Sequence, residues 1–202
     1  MAAGTGTARG RRFDSGRVCL DLVATGAGTS GGQEQLDRPG RLADWLVACG
    51  LVPAGTDLGG VDETWVARFR QARTCLDRLM TAELAGDGAD SHPEDGGPLE
   101  DVNALAAVAP PGVRAVRGRS GALVRELGSA PSCEALLAAV ARDAVDLLTD
   151  PVARAGLRRC EGDACRRLYL DTSRGRRRRW CSSELCGNRE RVARHRRLKA
   201  VR

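Results

Sequence analysis

Apolar residues recur at intervals of three and four through most of this chain, the spacing that lines one face of a helix. In RLADWLVAC, Leu42, Trp45, Leu46 and Cys49 share a face, and Gly50 comes next as a stop. A longer stripe of Trp65, Phe69, Ala72, Leu76, Leu79 and Met80 predicts a helix over about residues 62–85, ended by Gly86. A short helix over residues 99–109 runs into Pro110 and Pro111. Ser132 is placed to cap another, which carries Leu136, Leu137, Val140, Ala144, Leu147 and Leu148 as far as Asp150 and Pro151. Between these two, VRAVRGRSGALVREL alternates apolar and polar residues about a Gly/Ser turn, which is a hairpin signal. RVCLDLVAT, residues 17–25, is short and nearly all apolar, so it fits a strand or a buried helical turn.

Composition agrees with a mainly α fold. The chain has 202 residues, enough for one domain and a smaller module. It is 42% hydrophobic but only 3% aromatic, so its core must be built from Leu, Val and Ala, which suits packed helices. Gly26, Gly28 and Gly31 spell G-x-G-x-x-G, yet Pro39 and Gly40 break up the next segment and no βαβ repeat appears, so the stretch reads as a connection. Residues 1–12 are small, polar and basic, hence a flexible start without a secretory signal. No apolar run approaches the ~20 residues a bilayer needs. A cytoplasmic location is expected, where thiols stay reduced.

The net charge of +6 hides a division. Residues 158–202 hold 16 basic and 5 acidic side chains, while the remainder holds 16 and 21. One end is built to meet a polyanion. The domain reading is a mainly helical unit over residues 13–157 and a basic module over 158–202.

Eight cysteines fall into two sets. Cys19, Cys49, Cys75 and Cys133 stand singly in or beside apolar segments and read as small buried hydrophobes. Cys160, Cys165, Cys181 and Cys186 form C-x4-C-x15-C-x4-C, the kind of spacing that places four thiolates around one tetrahedral Zn²⁺. RLYLD (167–171) and RRRW (177–180) are expected to pair as strands between the knuckles, with a helix over residues 188–200 after them. Knuckle, hairpin and helix make a treble-clef-like or ribbon-like module. A site of four cysteines has no open position, so the metal is structural; His195 is the alternative fourth ligand. His92 lies in an acidic, turn-rich loop, and no nucleophile–base arrangement emerges, so no enzyme activity is expected.

Residues 160–197, CEGDACRRLYLDTSRGRRRRWCSSELCGNRERVARHRR, closely resemble the CGNR zinc-finger family, whose signature is Cys186-Gly187-Asn188-Arg189 here. CLDLVAT, DWLVACGLV and ALLAAVARDAVDLL resemble the ABATE domain usually found ahead of it, although Ala24 replaces the Asn of that family's LD-x-x-NT pattern. The resemblance implies a bacterial, stress-related transcription regulator with the finger as its DNA-binding element.

On this reading the terminal helix offers Arg189, Arg191, Arg194, Arg196 and Arg197 to a major groove, with Val192 and Leu198 packed inward. Arg174, Arg176, Arg177, Arg178 and Arg179 would grip phosphates. Asp171, Trp180 and Asn188 are expected to support the metal module, Asn188 as a local cap and Asp171 as a partner for Arg189. Binding to RNA or the ribosome is the alternative, and the scarcity of aromatics argues against a single-strand reader. A small-molecule effector of the helical domain and a homodimer complete the expected partners, with nucleoid association when bound to DNA.

Overall fold

The computed structural model describes residues 15–26, 33–86, 97–163 and 165–200. The expectations for residues 1–12, for Gly28 and Gly31 and for His92 lie outside them.

The ambiguous first segment is helix α1 (Val18–Val23), and its apolar run is uniform because it is buried on nearly every side. It packs against α3 (Glu63–Ala85) and α5 (Cys133–Thr149). Asp143 of α5 fixes its start, accepting from the Cys19 backbone N–H at 2.9 Å and pairing with Arg17 at 2.8 Å. α2 (Pro39–Ala48) lies on α3, where Trp45 meets Phe69 edge-on at 6.0 Å. α4 (Pro98–Ala107) covers α3 and α5.

Ser132 caps α5 as expected, accepting from Ala135 N–H, and Gly86 closes α3 at φ 80°; Asp62, expected as the first residue of α3, is its cap and accepts from Trp65 N–H. Val66 fills the core position expected of Trp65, which is half-buried. β1 (Val113–Arg117) and β2 (Leu123–Leu127) form the expected antiparallel hairpin. α6 (Pro151–Arg154) is a single turn after α5.

The core does not stop at the change in composition. β3 (Leu157–Arg159) pairs antiparallel with β4 (Leu168–Leu170). The strand period sends Leu168 and Leu170 to one face and Tyr169 to the other. Leu157 and Leu168 are buried in the core of the helical domain, and Tyr169 is buried among the four cysteines. One small hairpin therefore belongs to both units. Leu170 N–H donates to Ser15 O at 2.8 Å, and Gly16 beside it has φ 95° with its Cα so close that a Cβ would stand 3.0 Å from Leu170 Cβ.

The turn after α1 is held by neighbours of Ala24. Thr25 Oγ1 donates to Leu22 O, Gln35 Nε2 to Ala24 O, and Arg73 grips Glu34 with two bonds of 2.7 and 2.6 Å while also reaching Thr25. Burial pushes the Glu34 carboxyl up, but the bonds from Arg73 and Leu36 N–H, with the Arg73 and Arg70 charges, outweigh it and leave the group below the ordinary glutamate value of 4.5. A carboxyl lowered by folding stabilises the fold above its unfolded value and loses that contribution as pH falls through the folded one. Glu34→Gln is therefore expected to cost on the order of 1–3 kcal/mol at neutral pH and to flatten the loss of stability below about pH 4.5. Denaturant unfolding of both proteins across a pH series measures this, and parallel curves would contradict it.

Candidate metal centre

The β3–β4 hairpin carries the first cysteine pair at its tip. Cys160 N–H donates to Arg167 O at 2.9 Å and Cys165 N–H to Gly162 O at 2.9 Å, which turns both sulfurs inward over Gly162. The second pair bounds the entry to α7 (Cys186–Ala200). Ser182 shapes that entry, its Oγ accepting from Leu185 N–H and its carbonyl from Gly187 N–H. Gly187 fits closely there: a Cβ would stand 3.3 Å from the Trp180 ring that packs against the cluster, so the ring would have to shift by a few tenths of an ångström.

The four sulfurs lie within 4.8 Å of one another, and all four cysteines are buried. Cys165 and Cys181 are 3.7 Å apart, Cys181 and Cys186 3.6 Å. These separations are far beyond a disulfide of ~2.05 Å. They match the ~3.8 Å edge of a tetrahedron with Zn–S bonds of ~2.3 Å. The donor chemistry agrees. The hydrogen bond from Cys181, against burial, brings Cys165 down to about 5; the same contact, then burial and the Cys165 and Cys160 charges, push Cys181 up. Four thiolates at this distance need a cation between them, and the protein takes one structural zinc. Cys181 N–H donates to Cys160 Sγ at 3.3 Å, so the backbone also shares the negative charge.

Several sequence-predicted residues sit elsewhere than expected. The 177–180 segment is not a strand: β4 pairs with β3, while Glu161 N–H donates to Arg179 O. Its course is set by Asp171, buried at the end of β4, whose carboxylate accepts from Ser173 N–H and Arg178 N–H at 2.9 Å each. Burial raises the Asp171 carboxyl, but these N–H groups and the Arg178 charge hold it below the ordinary aspartate range. Among the described residues no ion pair joins it to Arg189. Asn188 lies inside the first turn of α7, which begins two residues earlier than expected, and it is the Ser182 carbonyl that accepts from the first-turn Gly187 N–H.

Arg178 is committed to the module. Its guanidinium donates to Trp180 O and Cys181 O and lies 4.9 Å over the Tyr169 ring, whose hydroxyl donates to Arg178 O. Arg179 pairs with Glu161 at 2.5 Å and covers Trp180 at 5.3 Å. Arg191 bonds Gly187 O and Ser183 O, and Arg197 approaches Asp163 and Glu190. Glu190 in turn accepts from Asp163 N–H, tying α7 to the first knuckle. Arg174, Arg176, Arg177, Arg189 and Arg196 are exposed. The side chains of Arg194 and Leu198 lie outside the described set. Val192 is 46% exposed rather than packed inward, and after Gly187 no described side chain of α7 is buried. Sequence reasoning missed Arg166, exposed on the knuckle, and the Glu190 tie; the C-x4-C loop beside Arg166 was the available signal.

Fold and site together define a helical domain carrying a four-cysteine zinc finger. Residues 157–199 match the CGNR zinc finger. Residues 16–151 match the ABATE model, described as "Putative stress-induced transcription regulator". The chain belongs to this regulator family. No curated protein matches it.

Because Leu157 and Leu168 enter the main core, zinc holds more than the finger. Cys181→Ser is expected to abolish zinc retention after dialysis and, through the β3–β4 hairpin, to lower hydrogen-exchange protection in α1 and α5 by about tenfold or more. Zinc loss with unchanged protection in those helices would refute the coupling.

Proposed function

We propose that the protein is a zinc-dependent, DNA-binding transcription regulator that contacts duplex DNA through α7 and the loop at residues 172–177. The observation that carries this reading is a helix whose described side chains form no buried apolar stripe. Past its zinc-anchored first two residues, α7 exposes Asn188, Arg189, Val192 and Arg196, so its surface is a ready partner for a polar, anionic groove. Arg189 and Arg196 suit base edges or phosphates, and Arg174, Arg176 and Arg177 in the 172–177 loop suit phosphates. Arg178 belongs to the zinc module instead.

Duplex is favoured over single strands because the aromatics of the finger are engaged. Tyr169 is fully buried and Trp180 is half-buried under Arg179, which leaves no free ring on which bases could stack. The proposed activity is binding without catalysis, since a four-sulfur site keeps no position for a substrate. The helical domain has room for an effector: an open groove of about 470 Å³ lies between the 53–61 loop and the β1–β2 hairpin, lined by Leu58, Trp65 and Val116 together with Asp57, Arg125 and Glu126.

Arg176 is conformationally marked. It sits at φ 46°, in the left-handed region where a β-carbon is disfavoured, directly after Gly175. Arg176→Gly should relieve about 1 kcal/mol of backbone strain while removing a cation. The expected result is a higher Tm with weaker duplex binding; unchanged affinity would show that Arg176 faces solvent only. Replacing Arg189 and Arg196 together with Ala should lower the log–log salt slope of duplex binding by about 0.9 per lost phosphate contact. A fluorescence-anisotropy salt series reads this, and no measurable duplex binding by the zinc-loaded chain would refute the proposed function.

A further inference from the structure

The β1–β2 hairpin has properties that its place in an acidic helical domain does not explain. Every residue of the two strands is exposed except Val116 and Leu127. A two-stranded hairpin is marginal by itself, and this one is held at its base by Leu127 in the core and by Gly128 N–H donating to Gly112 O. Between Asp101 and Glu134 the chain has one acidic residue, Glu126, against Arg114, Arg117, Arg119 and Arg125. Glu126 is taken by Arg114 across the strands at 2.8 Å. Arg117 and Arg125 donate to the carbonyls of Gly121 and Gly50 at 2.9 Å, and among the described residues neither has an ion-pair partner. Arg119 stands exposed at the turn.

We infer that this ribbon is a second duplex-DNA contact, gripping phosphates of the same DNA molecule that the finger holds. The inference rests on the proposed DNA-binding function. Charge selects the occupant: Arg117, Arg119 and Arg125 have no ion-pair partner among the described residues, and like charges on one exposed ribbon favour a polyanion beside them. Shape agrees, because the major groove of B-DNA admits a two-stranded ribbon as well as a helix.

Placement agrees too. The ribbon enters α5 at its N-terminal end and the finger leaves from its C-terminal end. The 17 residues of α5 separate them by about 25 Å at a rise of ~1.5 Å per residue, within the ~34 Å of one duplex turn. One chain thus reaches more DNA than its small finger could cover.

The test uses the whole zinc-loaded chain on duplexes of about 20 and about 6 base pairs, the shorter spanning roughly 20 Å, less than the ~25 Å between the two contacts. Arg117→Ala with Arg119→Ala should lower the salt slope on the long duplex by about 1.8 and leave binding to the short one unchanged. Arg117→Lys with Arg119→Lys should restore the slope, which separates lost charge from a loosened hairpin; matching near-UV circular dichroism checks the fold. An unchanged slope for the alanine pair on the long duplex would overturn the ribbon contact, as would failure of the lysine pair to rescue it. If Arg174→Ala with Arg177→Ala weakens binding while the ribbon variants do not, the finger contact stands and the ribbon contact alone falls. A wild-type chain that binds neither duplex removes both.

Discussion

Four buried sulfurs held within 4.8 Å of one another are a configuration that protein alone cannot keep. As thiols they leave hydrogen-bonding capacity poorly used; as thiolates they repel at short range in a medium that screens weakly. A Zn²⁺ at their centre turns that repulsion into four bonds and leaves a net charge of about −2 at the heart of an arginine-rich module. The surrounding arginines then become counter-charges. Arg178 bonds the carbonyls of Trp180 and Cys181, and Arg179 lies over the Trp180 ring, so part of the basic block stabilises the site that orders it.

That order is passed to the rest of the chain through three residues of β4. Pleating divides them between two cores: Leu168 and Leu170 face the helices, and Tyr169 faces the cysteines. A linker of ordinary length would have let the finger move independently. Here the hairpin that shapes the first zinc knuckle is also a wall of the helical core, sealed by Gly16 and Ser15 against Leu170. Rigidity of this kind would hold the finger and the β1–β2 ribbon, the two surfaces proposed to contact DNA, at a fixed separation.

The sequence spoke most clearly where structure is local. Cysteine spacing specifies two tight loops around one metal, and the Asp62, Ser132 and Gly86 caps are set by the residues within one turn of them. It spoke least where pairing is long-range. LRR over residues 157–159 has no strand pattern of its own and becomes β3 only because Leu157 is drawn into the core and β4 lies beside it. RRRW alternates no better, and the left-handed Arg176 and the Arg178 N–H bond to Asp171 turn it away from pairing. α1 illustrates a third case: burial on nearly all sides erases the periodicity that would have separated helix from strand.

Charge was legible in total and not in detail. Ten arginines of the finger looked equivalent as candidate contacts, yet geometry separates the nine with described side chains by whether the guanidinium has carbonyl or carboxylate partners. The same criterion works in the helical domain, where Arg73 is spent on Glu34 and Arg17 on Asp143, while Arg117 and Arg119 keep their charge. An arginine held by its own fold raises the stability of a surface, and one left free raises its affinity for a polyanion. Because both kinds carry the same formal charge, net charge measures neither. What the arginines without an ion-pair partner among the described residues have in common is an origin on thin, exposed elements: a loop, a two-stranded ribbon and a helix that buries no described side chain after Gly187, each ordered from its base.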